Sequence, residues 1–259
     1  MKPVRILRYG PSNSLNRLVD SLKEAGVDVK KLKMINSTYS GSDDHFIFNW
    51  GSSSSRSIVD GCIFNNPSAV AIAVNKLDTY YALERAGKNN ILPVWFTDPD
   101  LAVHYTRNGC KVFCRTRLTG SQGRGIVVAT EPSEVVHASL YTLQAPVYRE
   151  IRVHVFDKEV IHCTEKRKMN SERLEEESIQ LSRDVRNHEN GWVFCTTEVS
   201  EVVKSVAIDA ISSIGLDFGA VDIGLSHRDE SFVFEINTAP GMEGTTLASY
   251  RDAIIKKLC

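Results

Sequence analysis

Three side chains near the C-terminus offer hard oxygen ligands at a spacing that suits a divalent cation. In Val233-Phe234-Glu235-Ile236-Asn237 the two-residue repeat of a β-strand puts Glu235 and Asn237 on one face. The preceding apolar run, Gly219-Ala220-Val221-Asp222-Ile223, carries a single carboxylate. If the link Ser226–Phe232 closes a hairpin, Asp222 lies beside the other two. Two carboxylates and an amide oxygen between apolar walls suit Mg²⁺, which keeps waters and fills its shell with phosphate oxygens. The alternative is that Asp222 and Glu235 are simply paired with basic residues, because a buried carboxylate needs compensation of some kind.

Upstream, Thr119-Gly120-Ser121-Gln122-Gly123-Arg124-Gly125 frees backbone amides to approach an anion. It matches neither G-x-x-x-x-G-K-[ST] nor G-x-G-x-x-G, and taken alone it reads more commonly as a glycine-rich hairpin loop. Arg115 and Arg117, on one strand face just before it, add positive charge for phosphates. Glu150, Arg152 and His154 also share a strand face, ahead of Glu165-Lys166-Arg167-Lys168. Arg152 suits a phosphate or acyl phosphate, although the face also reads as a satisfied ion-pair row with a structural histidine. The loop Asn237–Thr246 follows the oxygen ligands and could present amides to a carboxylate at the start of the last helix.

The elements that must position these groups follow from periodicity. A strand is expected over Val4–Tyr9. A helix follows on Leu15, Leu18, Val19 and Leu22, with Gly26 as its C′ residue. His45–Trp50 reads as a strand, Asn66-Pro67 as a cap and first helical residue, and Asp78–Ala86 as a helix. Strands are expected over residues 111–117, 125–129 and 147–156, then a charged, solvated excursion over 165–190. A helical stripe of Val203, Ala207, Ala210 and Ile214 precedes two final strands, 218–225 and 231–237. The class is α/β shading into α+β, with more than one lobe.

Composition narrows the function. In 259 residues, 31 basic and 32 acidic side chains leave a net charge of −1, and 42% of residues are apolar. That excludes a mainly disordered chain and argues against a dedicated nucleic-acid binder. No run approaches the roughly 18 apolar residues of a membrane span, and residues 1–8 lack a signal-peptide core. The six cysteines show no C-x-x-C or zinc spacing and read as reduced thiols of a cytoplasmic protein.

At these residues the chain resembles the ATP-grasp superfamily of carboxylate–amine ligases, nearest the group with D-alanine–D-alanine ligase and the ribosomal-protein glutamate ligases. Glu235-Ile236-Asn237-Thr238-Ala239-Pro240-Gly241 resembles the metal-binding E-I-N-T-x-P-G segment, and Phe218–Asp222 the strand with the first metal carboxylate. Residues 121–126 resemble the loop that closes over ATP phosphates, and Asn75-Lys76-Leu77-Asp78 the D-K-L segment whose lysine binds phosphate. Arg183, Arg186, Asn187 and Gly191 resemble a stretch of the glutamate-ligase branch. The likeness spans residues 46–250. Three positions depart from it: Asn75 replaces Asp, Arg115 replaces a second ATP-binding lysine, and Ala220 replaces an arginine of D-alanine–D-alanine ligase.

The resemblance implies an ATP-grasp fold, with residues 1–64 as a small α/β substrate lobe and 65–259 as the ATP-grasp domain. Within the latter, 92–144 would form the lid lobe and 145–259 the catalytic core. It implies an amide-forming ligase that works through an acyl phosphate and releases ADP and phosphate, with ATP and Mg²⁺ (or Mn²⁺) as cofactors. Asp222, Glu235 and Asn237 would hold the metal. Lys76, Arg115, Ser121, Gly123 and Gly125 would clamp the phosphates, and Tyr141 and Leu143 would meet adenine. Arg152 and Arg186 would stabilise the acyl phosphate, while Asn49, Gly51, Gly241, Glu243, Gly244 and Thr245 would contact substrate. A small carboxylate and a small amine, amino acid or peptide, are the expected partners, with no membrane. A nucleic-acid or protein acceptor stays open, as does monomer against homodimer. A phosphotransferase and a non-catalytic nucleotide-binding protein are the competing readings.

Overall fold

The computed structural model describes residues 1–33, 37–54, 63–120, 123–182 and 184–259. Its first sheet is parallel: β1 (Val4–Arg8), β2 (Val29–Lys31), β3 (Phe46–Trp50) and β4 (Ile63–Phe64), in the order β2-β1-β3-β4. Helix α1 (Asn13–Glu24) buries the expected stripe of Leu15, Leu18, Val19 and Leu22 against it. Ser12 caps this helix by accepting from the Leu15 amide, and Gly26 ends it in the left-handed region. Two helices follow, α2 (Pro67–Val74) and α3 (Lys76–Arg85). Asn75 closes the first and caps the second, accepting from the Leu77 and Asp78 amides at 3.1 and 3.4 Å. An amide oxygen serves there as well as a carboxylate, which accounts for Asn at this position.

The second sheet is antiparallel. Strands β5 (Trp95–Phe96), β6 (Val112–Arg115), β7 (Ile126–Ala129) and β8 (Leu140–Leu143) lie in the order β5-β8-β6-β7, with helix α4 (Pro99–Arg107) packed against them. The third sheet carries the chemistry. It runs β11 (Trp192–Thr196), β10 (Glu159–Lys168), β9 (Val147–Phe156), β12 (Phe218–Ser226), β13 (Ser231–Asn237), all antiparallel. One face buries Ile151, Val153, Val155, Val221, Ile223, Val233 and Ile236 with α2, α3 and α6 (Glu201–Ser213), the short α5 (Ser171–Glu176) lying between β10 and β11 in the chain. Strand alternation therefore sends Arg152, His154 and Asp222 to the other face. A register shift pairs Asp222 with Glu235 but Ile223 with Val233. This bulge turns Val233 into the core and Glu235 into the cleft, although they are two residues apart.

The lobes share their cores. Phe156, Phe218, Met242, Tyr250 and Ile254 of the C-terminal half pack in one cluster with Val4, Ile6, Phe48 and Trp50. The last two of these C-terminal residues lie on α7 (Gly244–Leu258), which rests on α1. Asn65 is the polar link. It is fully buried at φ +69°, donates to the Phe218 carbonyl (2.9 Å), and accepts from the Asp217 and Phe218 amides. Replacing it with Ala would strand three buried backbone groups, each costing about 1–3 kcal/mol. It would also leave at positive φ an alanine, which lacks the polar side chain that lets Asn adopt the left-handed region. Asn65→Ala is expected to lose at least about 3 kcal/mol in denaturant melts; a loss under about 1 kcal/mol would show that this link is dispensable.

Two readings of the sequence need correction. The excursion does not begin at residue 165, because Glu165–Lys168 complete β10. Three of these charges are paired, Glu165 with Arg149 and Arg167 and Lys166 with Glu150, and Lys168 is exposed. The helix expected from Asp78 starts two residues earlier, at Lys76. Cys110, Cys114, Cys163, Cys195 and Cys259 are free thiols, and Cys62 lies outside the described residues. Among the described residues no helix is long and apolar enough to cross a membrane.

Candidate active site

The three sheets enclose a cleft of about 660 Å³. Its floor is a row of charges running across the third sheet, Glu235 on β13, Asp222 on β12 and Arg152 on β9, each the register partner of the next. Arg152 grips Asp222 with both arms of its fork, Nε to Oδ1 at 2.6 Å and Nη2 to Oδ2 at 2.8 Å. Lys166 Nζ lies 3.5 Å from the same carboxylate and also pairs with Glu150, which Arg186 approaches to 4.0 Å. Burial alone would raise the Asp222 pKa, but Arg152 and Lys166 outweigh it and hold the carboxyl below its usual range. Arg152 and Lys166 are raised in turn, the attraction of their carboxylate partners exceeding the cost of burial.

Lys76 joins this floor to the glycine loop. Its ammonium stands 3.2 Å from Glu235 Oε2 and donates to the Gly120 carbonyl at 3.1 Å. Asn237 Nδ2 donates to Glu235 Oε1 at 3.0 Å, which leaves the amide oxygen for another partner. Asp222, Glu235 and Asn237 thus stand together as the strand spacing required. The described residues hold no cluster of three His, Cys, Asp or Glu side chains that would cage an ion by themselves. Two carboxylates with one amide oxygen fit Mg²⁺ instead, an ion that retains waters and takes phosphate oxygens.

Above the floor, Arg115, Arg117, Gly120, Gly123 and Arg124 line the wall. The Arg115 Nε is buried without a hydrogen-bond partner, and so is the nearby Tyr80 hydroxyl, whose pKa burial raises. An orphaned arginine donor on a cleft wall is what an incoming anion would satisfy. Gly123, at φ +72°, packs so closely on Val185 that a Cβ would come within 2.3 Å of its Cγ1. Lys111 and Asp184 form an ion pair at 2.6 Å beside that contact. The second sheet and the segment before β11 therefore meet at the glycine-loop end of the cleft.

The remaining expected residues divide. Gly51, Leu143, Arg186 and Gly241 line the cleft. Tyr141 is buried in the second sheet's core, its hydroxyl accepting from the Ala138 amide and donating to the Val136 carbonyl. Asn49 is also buried, with both amide ends spent on the backbone of Ser52 and Asn65. Gly125 sits in the turn against Arg117 and off the wall. Glu243, Gly244 and Thr245 lie beyond the wall as well: Glu243 meets Arg17 at 3.6 Å, and Thr245 faces His162. His154 is enclosed beside Tyr250, and burial lowers its pKa to about 3, so it is neutral and does not line the cleft. Ser121 and Arg183 lie outside the described residues.

Sequence reasoning missed three groups of the cleft, Lys166, Phe194 and Tyr9, and the buried Trp192 behind Arg186. Lys166 was legible only as part of a charged run, and its ladder position opposite Glu150 could not be read without the β9–β10 pairing. Phe194, Trp192 and Tyr9 carry no motif. Phe194 lies 4.5 Å from the Arg152 guanidinium and 5.7 Å from Lys166, and Trp192 carries Arg186 at 4.8 Å. Strand β11 thus supplies aromatic faces for three cations of the site.

No protein-family model matches this sequence. A probable alpha-L-glutamate ligase of Enterobacter sp. (strain 638) is 28% identical over 134 residues, covering 49% of this chain and 42% of the relative. The match therefore spans less than half the length of that protein. Among solved structures, the ATP-grasp ligase PsnB, complexed with a phosphomimetic variant of its minimal precursor, Mg and ADP, superposes with a TM-score of 0.70. It shares 13% identity, and all of both chains is covered. D-alanyl-alanine synthetase A from Vibrio cholerae gives 0.67 at 14% identity, covering 99% of this chain and 97% of that one. A RiPP-associated ATP-grasp ligase of Chryseobacterium gregarium, bound to ADP and a leader and core peptide, gives 0.66 at 13% over 98% and 96%. The chain has the ATP-grasp fold.

Proposed function

We propose that the protein is an ATP-dependent carboxylate–amine ligase that forms an amide bond through an acyl phosphate and releases ADP and phosphate. The observation that carries this reading is the row Glu235–Asp222–Arg152, with Lys76 bridging it to the glycine loop. A phosphate clamp, a hard-oxygen pair and a guanidinium set into the cleft floor are the parts that phosphoryl transfer to a carboxylate needs. Mg²⁺ bound by Asp222, Glu235 and Asn237, with Mn²⁺ as an alternative, would neutralise charge on the β- and γ-phosphates.

In this reading Lys76 and Arg115 hold the phosphates. Arg152 and Arg186 draw the substrate carboxylate toward the γ-phosphoryl group, and Arg152 then steadies the oxyanion formed when the amine attacks. The lid over residues 92–144 and its glycine loop exclude water, which would otherwise hydrolyse the acyl phosphate. Residues 1–64 present the substrate across Gly51, and Gly241 completes that wall. The names of the relatives support peptides, amino acids or glutamate as substrate classes for such a site. Small-molecule substrates and a peptide acceptor are both compatible with the cleft.

The test is ADP release with Mg-ATP against pooled carboxylates and pooled amines. Release that needs both pools supports ligation; release with a hydroxyl compound and no amine supports a phosphotransferase. Bound ATP with no turnover on any pool would favour a binding protein. The lid makes a separate prediction. Tryptic cleavage at Arg117 and Arg124 is expected to slow several-fold with Mg²⁺ and a non-hydrolysable ATP analogue. An unchanged rate would mean that the glycine loop does not meet the nucleotide.

A further inference from the structure

The Phe194 ring lies against Arg152 and Lys166, yet Phe194 remains 47% exposed on the cleft wall. Large apolar side chains left in water inside a ligand cleft mark where a ligand's apolar surface goes. A second one stands on the N-terminal lobe. Tyr9, 57% exposed, lines the same cleft from the carboxyl end of β1. Its ring is seated tightly: a Cβ at Gly51 would fall 2.9 Å from Tyr9 Cδ1 and equally close to Ala239. Neither ring has a role in holding phosphates or a metal.

The charges on the wall point the same way. Asp222, Glu150, Glu235 and Asp184 each already hold a lysine or arginine. Among the described residues of the cleft no carboxylate is left to receive a cationic side chain, and a buried ammonium without a partner is costly. We infer that the carboxylate substrate carries an aromatic or other bulky apolar group, which rests on the exposed surface of Phe194 while its carboxylate is drawn to Arg152. Tyr9 extends the same apolar surface. This rests on the ligase reading for the role of the carboxylate, but the specificity it states can be measured without turnover.

The experiment is calorimetric titration of the protein, with Mg²⁺ and a non-hydrolysable ATP analogue, using the N-acetyl derivatives of glycine, phenylalanine, glutamate and lysine. These probes differ only in side chain. The phenylalanine derivative is expected to bind at least about 10-fold tighter than the other three, the scale of burying one apolar side chain. Phe194→Ala should bring phenylalanine and glycine within about 3-fold, and Phe194→Trp should keep the preference, with analogue affinity unchanged in both as the check on folding. A preference for glutamate or lysine overturns the inference, as does a preference that survives Phe194→Ala or the failure of every probe to bind. If the preference is found but no amine elicits ADP, the ligase reading falls and the apolar site stands. ADP that needs both pools, with no side-chain preference, gives the reverse.

Discussion

Glu235→Gln is expected to remove Mg²⁺-dependent ADP formation, by at least about 10²-fold, in a protein that melts like the wild type. Glutamine keeps the shape of the side chain and the oxygen that accepts from Asn237 Nδ2 at 3.0 Å. What it loses is the negative charge, which serves both a divalent cation and Lys76 at 3.2 Å. Hard cations depend on ligand charge, and weakening even the surroundings of a metal ligand costs about 10–100-fold in affinity or activity. The side chain is 24% exposed, so the lost ion pair with Lys76 is partly screened and the effect on stability is small. Mg²⁺ titration of the initial rate, with thermal melts alongside, checks this. Unchanged turnover would reduce Glu235 to an ion-pair partner of Lys76 and remove the metal assignment.

That prediction could be framed from the sequence because Glu235 and Asn237 sit in a strand whose alternation is regular where it matters. The register was less accessible. Asp222 and Glu235 face each other through a bulge at Phe234, and nothing in the local pattern marks an extra residue there. Long, strongly periodic elements such as β9 and α1 were legible, since half-buried faces impose their period on the sequence. Strand β11 was not. Trp192, Phe194 and Thr196 share a face with little contrast to their neighbours, and the strand is an edge, so one side of its ladder is unpaired. Helix α4 was missed although Asp98-Pro99 is a cap followed by proline, a signal read correctly at Asn66-Pro67. Its buried stripe is only Ala102 and Thr106, too weak for periodicity to register.

Side-chain direction at strand and loop ends was the other blind spot. Asn49 at the end of β3 was expected to contact substrate, but an amide beside a sharp turn is first claimed by the backbone. Its three hydrogen bonds to Ser52 and Asn65 use both amide protons and one acceptor site, and its full burial keeps the rest from a ligand. Neighbouring Gly51, with no side chain to redirect, reaches the cleft through its backbone. Sequence position near a cleft therefore located the segment, and only competition for hydrogen bonds decided which of its residues faces inward.

Arg152→Ala is expected to lower turnover by about 10²-fold or more, the scale of losing one oxyanion donor, and this prediction needs a control for stability. Asp222 is buried and Arg152 only 16% exposed, and removing the guanidinium leaves a buried carboxylate uncompensated, at a cost approaching the roughly 3–5 kcal/mol of a fully buried pair. Lys166, at 3.5 Å, would shield Asp222 only in part. The pH dependence follows from the sign. Asp222's pKa is depressed in the folded protein, so its contribution to stability is present above the ordinary carboxylate range and lost as pH falls through the folded value. Without Arg152 burial would raise that value, and acid unfolding would begin at higher pH. Arg152→Lys separates the effects, because it keeps a positive charge beside Asp222 but not the two-armed grip. If Arg152 acts in catalysis, the lysine variant should recover the acid limb of the melts while turnover stays at least about 10-fold low. Mg²⁺ should bind the alanine variant no more weakly than wild type, since Asp222 is then released from its competing guanidinium. Turnover that returns together with stability in the lysine variant would make Arg152 a structural counterion of Asp222 and nothing more.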